Sequence, residues 1–258
     1  MDKVIVVTGA SSGIGAAFAR KAGALGAKLV LAARRQDALE AVARDSGEAI
    51  AVPTDVTQRD QVERLLARAL EHFGHVDVWV NNAGRGITRP VSELTDSDLS
   101  EMWRDNVNSA LYGMQAVLPH FKARGTGQIL NVSSGLARVP VAPFRSAYSA
   151  AKHALNALSA SLRMELAATH PGIWVTVFMP GIVATEFGNN ALGGGPDSRS
   201  FAGAQPVDEV ADGMVDVIEE PRAEAYSRPE MQAEVERYYR DVAGAEAEAA
   251  RRFRAAAH

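Results

Sequence analysis

Short apolar runs alternate along the chain with longer stretches that have the periodicity of helices. The apolar runs are rich in β-forming residues and cover residues 3–8, 28–33, 49–52, 77–80, 127–132 and 173–179. Alternation of this kind predicts right-handed βαβ units and a parallel sheet. The run at 28–33 is almost wholly apolar, as expected of a strand that helices cover on both faces. The pattern therefore predicts a doubly wound α/β fold.

The predicted elements form a single domain over residues 1–258. This length lies within the range of one α/β domain, and no internal repeat or Pro- and Ser-rich linker divides it. The least regular part follows the sixth predicted strand and forms a loop near residues 186–205, with a Gly193-Gly194-Gly195-Pro196 run inside it. Composition alone predicts a mobile surface loop there.

The C-terminal part is predicted to form a helical extension near residues 229–258. A short strand near Ala225-Tyr226 precedes it, and Pro229 suits the start of a helix. An apolar stripe at i, i+4, i+7 and i+11 then consists of Met231, Val235, Tyr238 and Val242. This stripe predicts packing onto its own domain or a subunit contact, and a lid over a substrate pocket is the alternative.

Composition and charge exclude several classes of protein. No long uninterrupted apolar stretch is present and the chain starts Met-Asp-Lys, so we expect neither a membrane span nor a signal peptide, and a cytoplasmic location. The absence of cysteine excludes disulfides and thiolate catalysis, and six scattered histidines predict no metal site. A net charge of −4 and a pI near 5.9 argue against a nucleic-acid-binding surface. A small-molecule substrate fits this composition better.

A glycine-rich turn follows the first predicted strand. Val4-Ile5-Val6-Val7 leads into Thr8-Gly9-Ala10-Ser11-Ser12-Gly13-Ile14-Gly15 and then an Ala-rich helical stretch. Glycines at these points allow a tight turn and let the backbone approach a pyrophosphate at the helix N-terminus. Gly-rich turns can also simply join a strand to a helix. We expect Gly9, Ser11, Ser12, Gly13, Ile14 and Gly15 to bind a dinucleotide.

Tyr148 and Lys152 stand four residues apart in the run Ser146-Ala-Tyr-Ser-Ala-Ala-Lys152, which reads as a helix. Four residues is about one helical turn, so both side chains share a face and can act on one substrate. Such a pair also occurs by chance in many helices, where both side chains lie at the solvent boundary. The pair therefore indicates a functional site only in combination with the other motifs of the chain.

Several motifs occur together in one order: Thr8 to Gly15, Asn81-Asn82-Ala83-Gly84, Asn108, Ser134, and Tyr148 with Lys152. On these residues the chain resembles the short-chain dehydrogenase/reductase family, over roughly residues 3–220. The resemblance implies an oxidoreductase that uses a nicotinamide cofactor on a small carbonyl or alcohol substrate. It also implies a homodimer or homotetramer, and a substrate-covering role for the loop after the sixth strand.

The resemblance implies a role for each catalytic residue. Tyr148 would be the general acid/base, and Lys152 would both lower the pKa of Tyr148 and bind the nicotinamide ribose. Ser134 would hold the carbonyl oxygen, although it precedes Tyr148 by 14 residues where 13 is usual, and Ser133 would widen the gap further. Asn108 would hold a water in the proton relay. Asn106 is the competing position, and Asn108 is favoured because Val-Asn precedes a run of small residues.

The remaining cofactor contacts also follow from the resemblance. Asp55 and Val56 would receive the adenine, although Asp55 is equally suited to cap the helix that starts near Gln58. The other predicted cofactor-binding residues are Asn82, Ala83, Gly84, Tyr148, Lys152, Pro180, Gly181, Ile182 and Thr185.

The end of the second strand discriminates between the two nicotinamide cofactors. A carboxylate there would bind the adenosine ribose, whereas a basic side chain would bind a 2′-phosphate. The chain has Arg34-Arg35 and no acid at this point, and Arg34 follows Gly15 by 19 residues. NADP is therefore predicted over NAD. Either arginine can be the main phosphate contact, or both can be solvated residues at a helix start.

The sequence thus predicts an NADP(H)-dependent carbonyl reductase or alcohol dehydrogenase. The alternatives are an NAD(H)-dependent enzyme of the same fold and a cofactor-binding module without turnover. The loop from Leu136 to Arg145 contains Pro140 to Phe144, which makes one wall of the pocket apolar and hints at a hydrophobic carbonyl compound.

Overall fold

The computed structural model describes residues 1–255, which fold around one parallel sheet with helices on both faces. The strands are β1 (Val4–Thr8), β2 (Lys28–Ala33), β3 (Ala49–Pro53), β4 (Val78–Asn81), β5 (Gly127–Val132), β6 (Ile173–Met179) and β7 (Glu224–Tyr226). The helices are α1 (Gly13–Ala24), α2 (Gln36–Arg44), α3 (Arg59–Phe73), α4 (Asp96–Trp103), α5 (Ser109–Arg124), α6 (Ser146–Ala167), α7 (Val207–Glu219), α8 (Glu230–Arg240) and α9 (Val242–Ala255). The doubly wound α/β fold and the single domain are confirmed.

The order of the strands places a crevice at one edge of the sheet. The order is β3-β2-β1-β4-β5-β6-β7, and all neighbouring strands are parallel. The chain moves outward from β1 to β3 and then returns to lay β4 on the other side of β1. Open α/β sheets bind ligands at such a switch point, outside the carboxyl ends of the strands.

The strands are apolar because both faces of the sheet are covered. On one face, Ile5 of β1 packs in a core with Phe18 of α1 and Met214 of α7. On the other face, Val6 packs in a core with Phe121 of α5 and Leu155 of α6. All of these side chains are buried, so a continuous apolar run rather than an alternating one marks each inner strand. For the six predicted strands, the observed bounds differ by no more than one residue at either end.

The C-terminal extension is two helices and not one. The apolar stripe from Met231 to Val242 predicted one continuous helix, but α8 ends at Arg240, so Val242 does not belong to it. Asp241 has an extended backbone (φ −148°, ψ 80°), and its Oδ1 accepts a hydrogen bond of 2.9 Å from the backbone N–H of Gly244. Asp241 therefore caps the start of α9, which turns back against α8. Residues 256–258 of the predicted extension lie outside the described residues.

Within residues 1–255, no helix is both long enough and apolar enough to cross a membrane.

Candidate active site

A large cleft opens at the carboxyl edge of the sheet and has a volume of ≈ 2060 Å³. The glycine turn, the ends of β2, β3, β4 and β5, the segments after β5 and β6, and helices α8 and α9 all contribute to its lining. The cleft therefore lies over the switch point between β1 and β4, and most of the predicted site residues line it.

The glycine turn has the backbone that its sequence predicts. Gly9 and Gly13 have φ of +66° and +56°, which side chains disfavour. A Cβ added to Gly9 would lie 2.8 Å from Cα of Ala83, and one added to Gly15 would lie 2.5 Å from the carbonyl oxygen of Gly9. Ser12 precedes α1 and makes no side-chain capping bond within the described residues, so its helix N-terminus is left to a ligand. These features fit the pyrophosphate of a dinucleotide.

Thr8 and Asn82 fasten the end of β4 to this turn. The Thr8 hydroxyl donates to the carbonyl oxygen of Val80 at 3.1 Å and accepts from the N–H groups of Asn82 and Ala83 at 3.0 and 3.2 Å. Asn82 Nδ2 donates to the carbonyl oxygens of Thr8 and Gly9 at 2.9 and 3.2 Å. Asn82 thus holds the cleft floor in shape. Sequence reasoning gave Thr8 no separate role, although it immediately precedes the first glycine.

Arg34 and Arg35 lie exposed at the end of β2 and line the cleft. An Nη of Arg35 donates to the hydroxyls of Ser12 at 3.0 Å and Ser11 at 3.3 Å. The Arg35 guanidinium therefore stands beside the glycine turn, with Arg34 next to it. This corner of the cleft is positively charged.

Asp55 and Val56 follow β3 and also line the cleft. The carboxylate of Asp55 accepts hydrogen bonds from the backbone N–H of Thr57 at 3.0 Å and from its hydroxyl at 2.8 Å. Helix α3 begins at Arg59, beyond the reach of this local turn. Asp55 therefore does not cap the helix, in contrast to the alternative considered from the sequence.

Tyr148, Ser134 and Lys152 meet at the inner end of the cleft. Tyr148 is buried, and Ser134, which lines the same part of the cleft, lowers the pKa of its hydroxyl. Lys152 is one turn further along α6, with its Nζ 5.8 Å from the centre of the Tyr148 ring, and it donates to the carbonyl oxygen of Val132 at 2.9 Å. The Ser133 hydroxyl points to the backbone of Lys152 instead. Of the two serines, Ser134 is the one that acts on the pKa of Tyr148.

Burial changes the proton affinities of this group. It raises the pKa of Tyr148 to about 12, while the neighbouring Ser134 hydroxyl and the charge of Arg145 act in the opposite direction. Burial also lowers the pKa of Lys152 to about 8. The phenol is therefore protonated at neutral pH, and Lys152 is close to losing its charge. Such opposed shifts in one cleft are typical of functional sites.

Asn106 lies on a π-helical turn, Arg104–Asn108, that joins α4 to α5. Its side chain is 1% exposed, and its amide is fixed on both sides. Oδ1 accepts from the backbone N–H of Arg85 at 3.2 Å, and Nδ2 donates to the carbonyl oxygens of Arg85 and Met102 at 2.9 and 3.1 Å. Since π-turns inside helices often occur at functional sites, this kink is itself a signal of function.

The structure places Asn106, the position that competes with the predicted Asn108, beside Lys152. A Cβ added to Gly84 would lie 2.8 Å from Oδ1 of Asn106 and 3.4 Å from Nζ of Lys152, so the two side chains flank the same glycine. Residues two apart on a helix point to nearly opposite sides. Asn108 is half-buried, whereas Asn106 is buried beside Lys152.

The segment Pro180–Thr185 faces the glycine turn across the cleft. Ile182 and Ala184 pair with Gln205 through backbone hydrogen bonds of 2.8 and 2.9 Å. A Cβ added to Gly13 would meet Cγ2 of Thr185 at 3.4 Å. The predicted cofactor-binding residues Pro180, Gly181, Ile182 and Thr185 thus form the wall opposite α1.

The predicted loop at 186–205 and the C-terminal helices cover the cleft. Phe187 packs on Tyr148, with ring centroids 5.5 Å apart. Phe253 of α9 stacks on Phe144 at 5.7 Å, and Met231 of α8 lies beside Gly181. The extension therefore packs on its own domain, as one of the expectations had it, and it does so over the cleft. The sequence pattern did not predict that Phe187 packs on Tyr148 or that Phe253 stacks on Phe144.

Comparisons with known proteins agree with this geometry. The family model described as short chain dehydrogenase matches residues 3–192. An uncharacterized oxidoreductase of Staphylococcus haemolyticus is 35% identical over 223 residues, which make up 85% of this chain and 92% of the relative.

Two solved structures are similar over most of their length. A short-chain dehydrogenase/reductase from Burkholderia phymatum in complex with NAD has a TM-score of 0.85 and 28% identity, covering 93% of this chain and 94% of the other. An alcohol dehydrogenase from the archaeon Thermococcus sibiricus, complexed with 5-hydroxy-NADP, has a TM-score of 0.76 and 31% identity, covering 88% and 96%.

Proposed function

The chain belongs to the short-chain dehydrogenase/reductase family of oxidoreductases, and we propose that it interconverts a carbonyl compound and a secondary alcohol with NADP(H), using Tyr148 as general acid/base. The observation that carries this proposal is that Ser134, Tyr148 and the buried Lys152 line the inner end of one cleft that begins at the glycine turn, with Nζ of Lys152 5.8 Å from the centre of the Tyr148 ring. A nicotinamide cofactor, when bound, supplies or accepts the hydride.

The protein's own residues hold the substrate and move the proton. The Ser134 hydroxyl accepts a hydrogen bond from the backbone N–H of Leu136 at 3.2 Å, and its own proton can be donated to the substrate oxygen. The neighbouring Tyr148 hydroxyl donates the proton that the substrate gains during reduction. Burial keeps that phenol protonated at neutral pH, so the resting site is ready for reduction. The charge of Lys152 stabilises the phenolate that forms, and Asn106 stands beside Lys152 where a relay of protons from solvent would pass.

The preference for NADP rests on Arg34 and Arg35. A 2′-phosphate at the end of β2 would meet two guanidinium groups, one of which already bonds to Ser11 and Ser12. No carboxylate takes the place that an NAD-binding chain needs there. The relatives with bound cofactor carry NAD in one case and 5-hydroxy-NADP in the other, so the preference comes from the arginines alone.

The cofactor preference predicts the effect of reversing one charge. Arg34→Asp and Arg35→Asp should each raise the KM for NADPH and lower that for NADH, because a carboxylate repels the 2′-phosphate and can bind the ribose. Arg44→Asp on α2 is the matched control, since that arginine does not line the cleft. Wild-type protein that prefers NADH would contradict the NADP proposal and leave the oxidoreductase chemistry intact.

Tyr148→Phe tests the chemistry. Purified protein is incubated with NADPH or NADH and a panel of ketones, aldehydes and diketones, and oxidation is followed by nicotinamide absorbance. We expect turnover to fall by at least about 100-fold in Tyr148→Phe, because the proton donor is lost. Tyr239→Phe, an exposed tyrosine on α8, should keep its activity. Cofactor binding by fluorescence shows whether the variant retains its fold.

The same assay separates the enzyme from a cofactor-binding module. Binding of cofactor without Tyr148-dependent turnover of any carbonyl or alcohol in the panel would favour the module. The cytoplasmic location and the dimeric or tetrameric state stay predictions.

A further inference from the structure

Arg145 is a second buried cation in the cleft, besides Lys152. It is 9% exposed, precedes the first residue of α6 and lies three residues before Tyr148. One Nη donates to the backbone carbonyl oxygen of Ile87 at 3.2 Å. Among residues 1–255, no carboxylate lies within ion-pair distance of its guanidinium. The mechanism proposed above gives this side chain no role.

A buried arginine without an anion is unfavourable. Arginine stays charged in proteins and is rarely buried without a partner. Its guanidinium has five N–H donors, of which the carbonyl oxygen of Ile87 uses one. The Phe144 ring, 5.5 Å from the guanidinium carbon, offers only a weak cation–π contact. The remaining donors are available to a group that enters the cleft.

Two glycines lie directly beside the Nη atoms of this guanidinium. A Cβ added to Gly86 would lie 3.0 Å from one Nη of Arg145, and a Cβ added to Gly195 would lie 3.3 Å from the other. Both glycines belong to segments that are distant in sequence and meet at Arg145. The guanidinium is thus enclosed by backbone at two glycines, which leaves room beside its Nη atoms for a small group.

The electrostatic balance at the inner end of the cleft is positive. Arg145 and Lys152 are the buried charged side chains of the lining, and the charge of Arg145 acts on Tyr148. The carboxylates that line the cleft are all exposed or half-buried: Asp55, Asp105, Glu186, Asp208, Glu230, Glu234 and Glu248. An anion that reaches Tyr148 would find Arg145 without a competing carboxylate.

We propose that Arg145 binds a carboxylate of the substrate, so that the enzyme interconverts an oxo acid and the corresponding hydroxy acid. The proposal deepens and rests on the proposed function. The planar fork of arginine matches a carboxylate through two parallel hydrogen bonds. Because Arg145 and Tyr148 lie one turn apart, one small molecule can place its carboxylate on the first and its carbonyl on the second. The carbonyl carbon gains the hydride, its oxygen takes the Tyr148 proton, and the carboxylate is unchanged.

Matched pairs of acid and amide test this inference. Values of kcat/KM are measured with NADPH for acetoacetate against acetoacetamide and pyruvate against pyruvamide, with neutral ketones alongside. Wild-type protein should prefer the acids. Arg145→Met should lower the acid-to-amide ratio by at least about 30-fold, because a buried charge pair is lost. Arg145→Lys should give an intermediate ratio, since it keeps the charge and loses the fork.

Two further measurements make the result specific. Arg199→Met is the matched control: this arginine also lines the cleft but is exposed and paired with Asp197, so the ratio should not change. In wild-type protein, propionate should inhibit the reduction of a neutral ketone and propionamide should not. This competition assay does not depend on whether any Arg145 variant folds.

Two outcomes would overturn the inference. The first is Tyr148-dependent turnover of neutral ketones with no preference for acids and no competition by propionate. This result would refute carboxylate binding by Arg145 and would still agree with the proposed function. An equal loss of acid and amide turnover in Arg145→Met would show a structural role. Failure of the proposed function itself is distinguishable, because then no carbonyl compound is reduced in a Tyr148-dependent way.

Discussion

Lys152 is a charged side chain held inside the protein, and its replacement should stabilise the fold while removing the proposed activity. The side chain is 3% exposed, and its Nζ donates to one backbone carbonyl oxygen, that of Val132. Burial lowers the pKa of Lys152 from 10.5 to about 8. Below pH 8 the folded and unfolded chains both carry this charge, and between pH 8 and 10.5 only the unfolded chain does. The free energy of unfolding should therefore rise with pH over that window.

The size of the effect follows from the shift in pKa. One proton contributes about 1.4 kcal/mol per pH unit, so Lys152 should raise the free energy of unfolding by about 2 kcal/mol between pH 7 and 9.5. Its buried charge destabilises the fold by about 3 kcal/mol at pH 7 on the same basis. Lys152→Met removes that charge and also the hydrogen bond to Val132, which is worth about 1 kcal/mol. We therefore expect Lys152→Met to be about 2 kcal/mol more stable than wild type at pH 7, with the advantage gone by pH 9.5.

Urea unfolding of both proteins at pH 7, 8, 9 and 9.5 measures this difference. The two proteins are compared without cofactor and at equal concentration, so that other titrating groups and self-association cancel. Tyr148→Phe is the control and should keep the wild-type slope, because the pKa of Tyr148 in the folded protein is about 12. Parallel pH profiles for wild type and Lys152→Met, within about 0.5 kcal/mol, would refute the reasoning.

Two further predictions concern residues that shape the cleft. Asn106→Ala should lower turnover at least about 10-fold and destabilise the fold by about 1–3 kcal/mol, because it leaves buried backbone groups without partners. Asn108→Ala should have a turnover rate near that of wild type. Steady-state kinetics measures both rates, and a larger loss in Asn108→Ala would favour Asn108 as the functional residue. Gly9→Ala should lower both Tm and NADPH affinity, because the left-handed backbone costs about 1–2 kcal/mol and the new Cβ meets Ala83 at 2.8 Å. Gly125→Ala shares the positive φ but meets nothing within 4 Å, so its Tm should fall less, and equal losses would contradict the close-approach argument.

The sheet could be predicted from the sequence because its cause is local in the chain. Strands covered on both faces must be apolar at every position, and so runs such as Val4 to Val7 mark them directly. The glycine turn is equally local, since Gly9 and Gly13 take conformations that other residues disfavour. The position of the polar residues at the strand ends then follows from the handedness of the βαβ units, because this handedness brings the carboxyl ends of the strands to one edge of the sheet.

Helix phase could not be predicted where the helix departs from 3.6 residues per turn. The π-turn at Arg104–Asn108 changes the direction in which successive side chains point, so the spacing of Asn106 and Asn108 gives no means of choosing between them. The end of α8 was missed for a related reason: an apolar residue at Val242 continued the period although the backbone had broken. The signal that was available is Asp241, which caps α9 through the N–H of Gly244.

Arg145 marks the boundary between what a motif determines and what the fold determines. Its distance of three residues from Tyr148 is evident in the sequence, but its burial is not. The guanidinium is enclosed because Gly86 after β4 and Gly195 in the loop after β6 come together around it, and neither is near it in the chain. Proton transfer needs residues that one helix can space correctly, whereas recognition of a substrate needs loops from several strands to meet. It follows that the reaction class can be proposed from Tyr148 and Lys152, while the chemistry of the substrate had to be inferred from the arginine that those loops enclose.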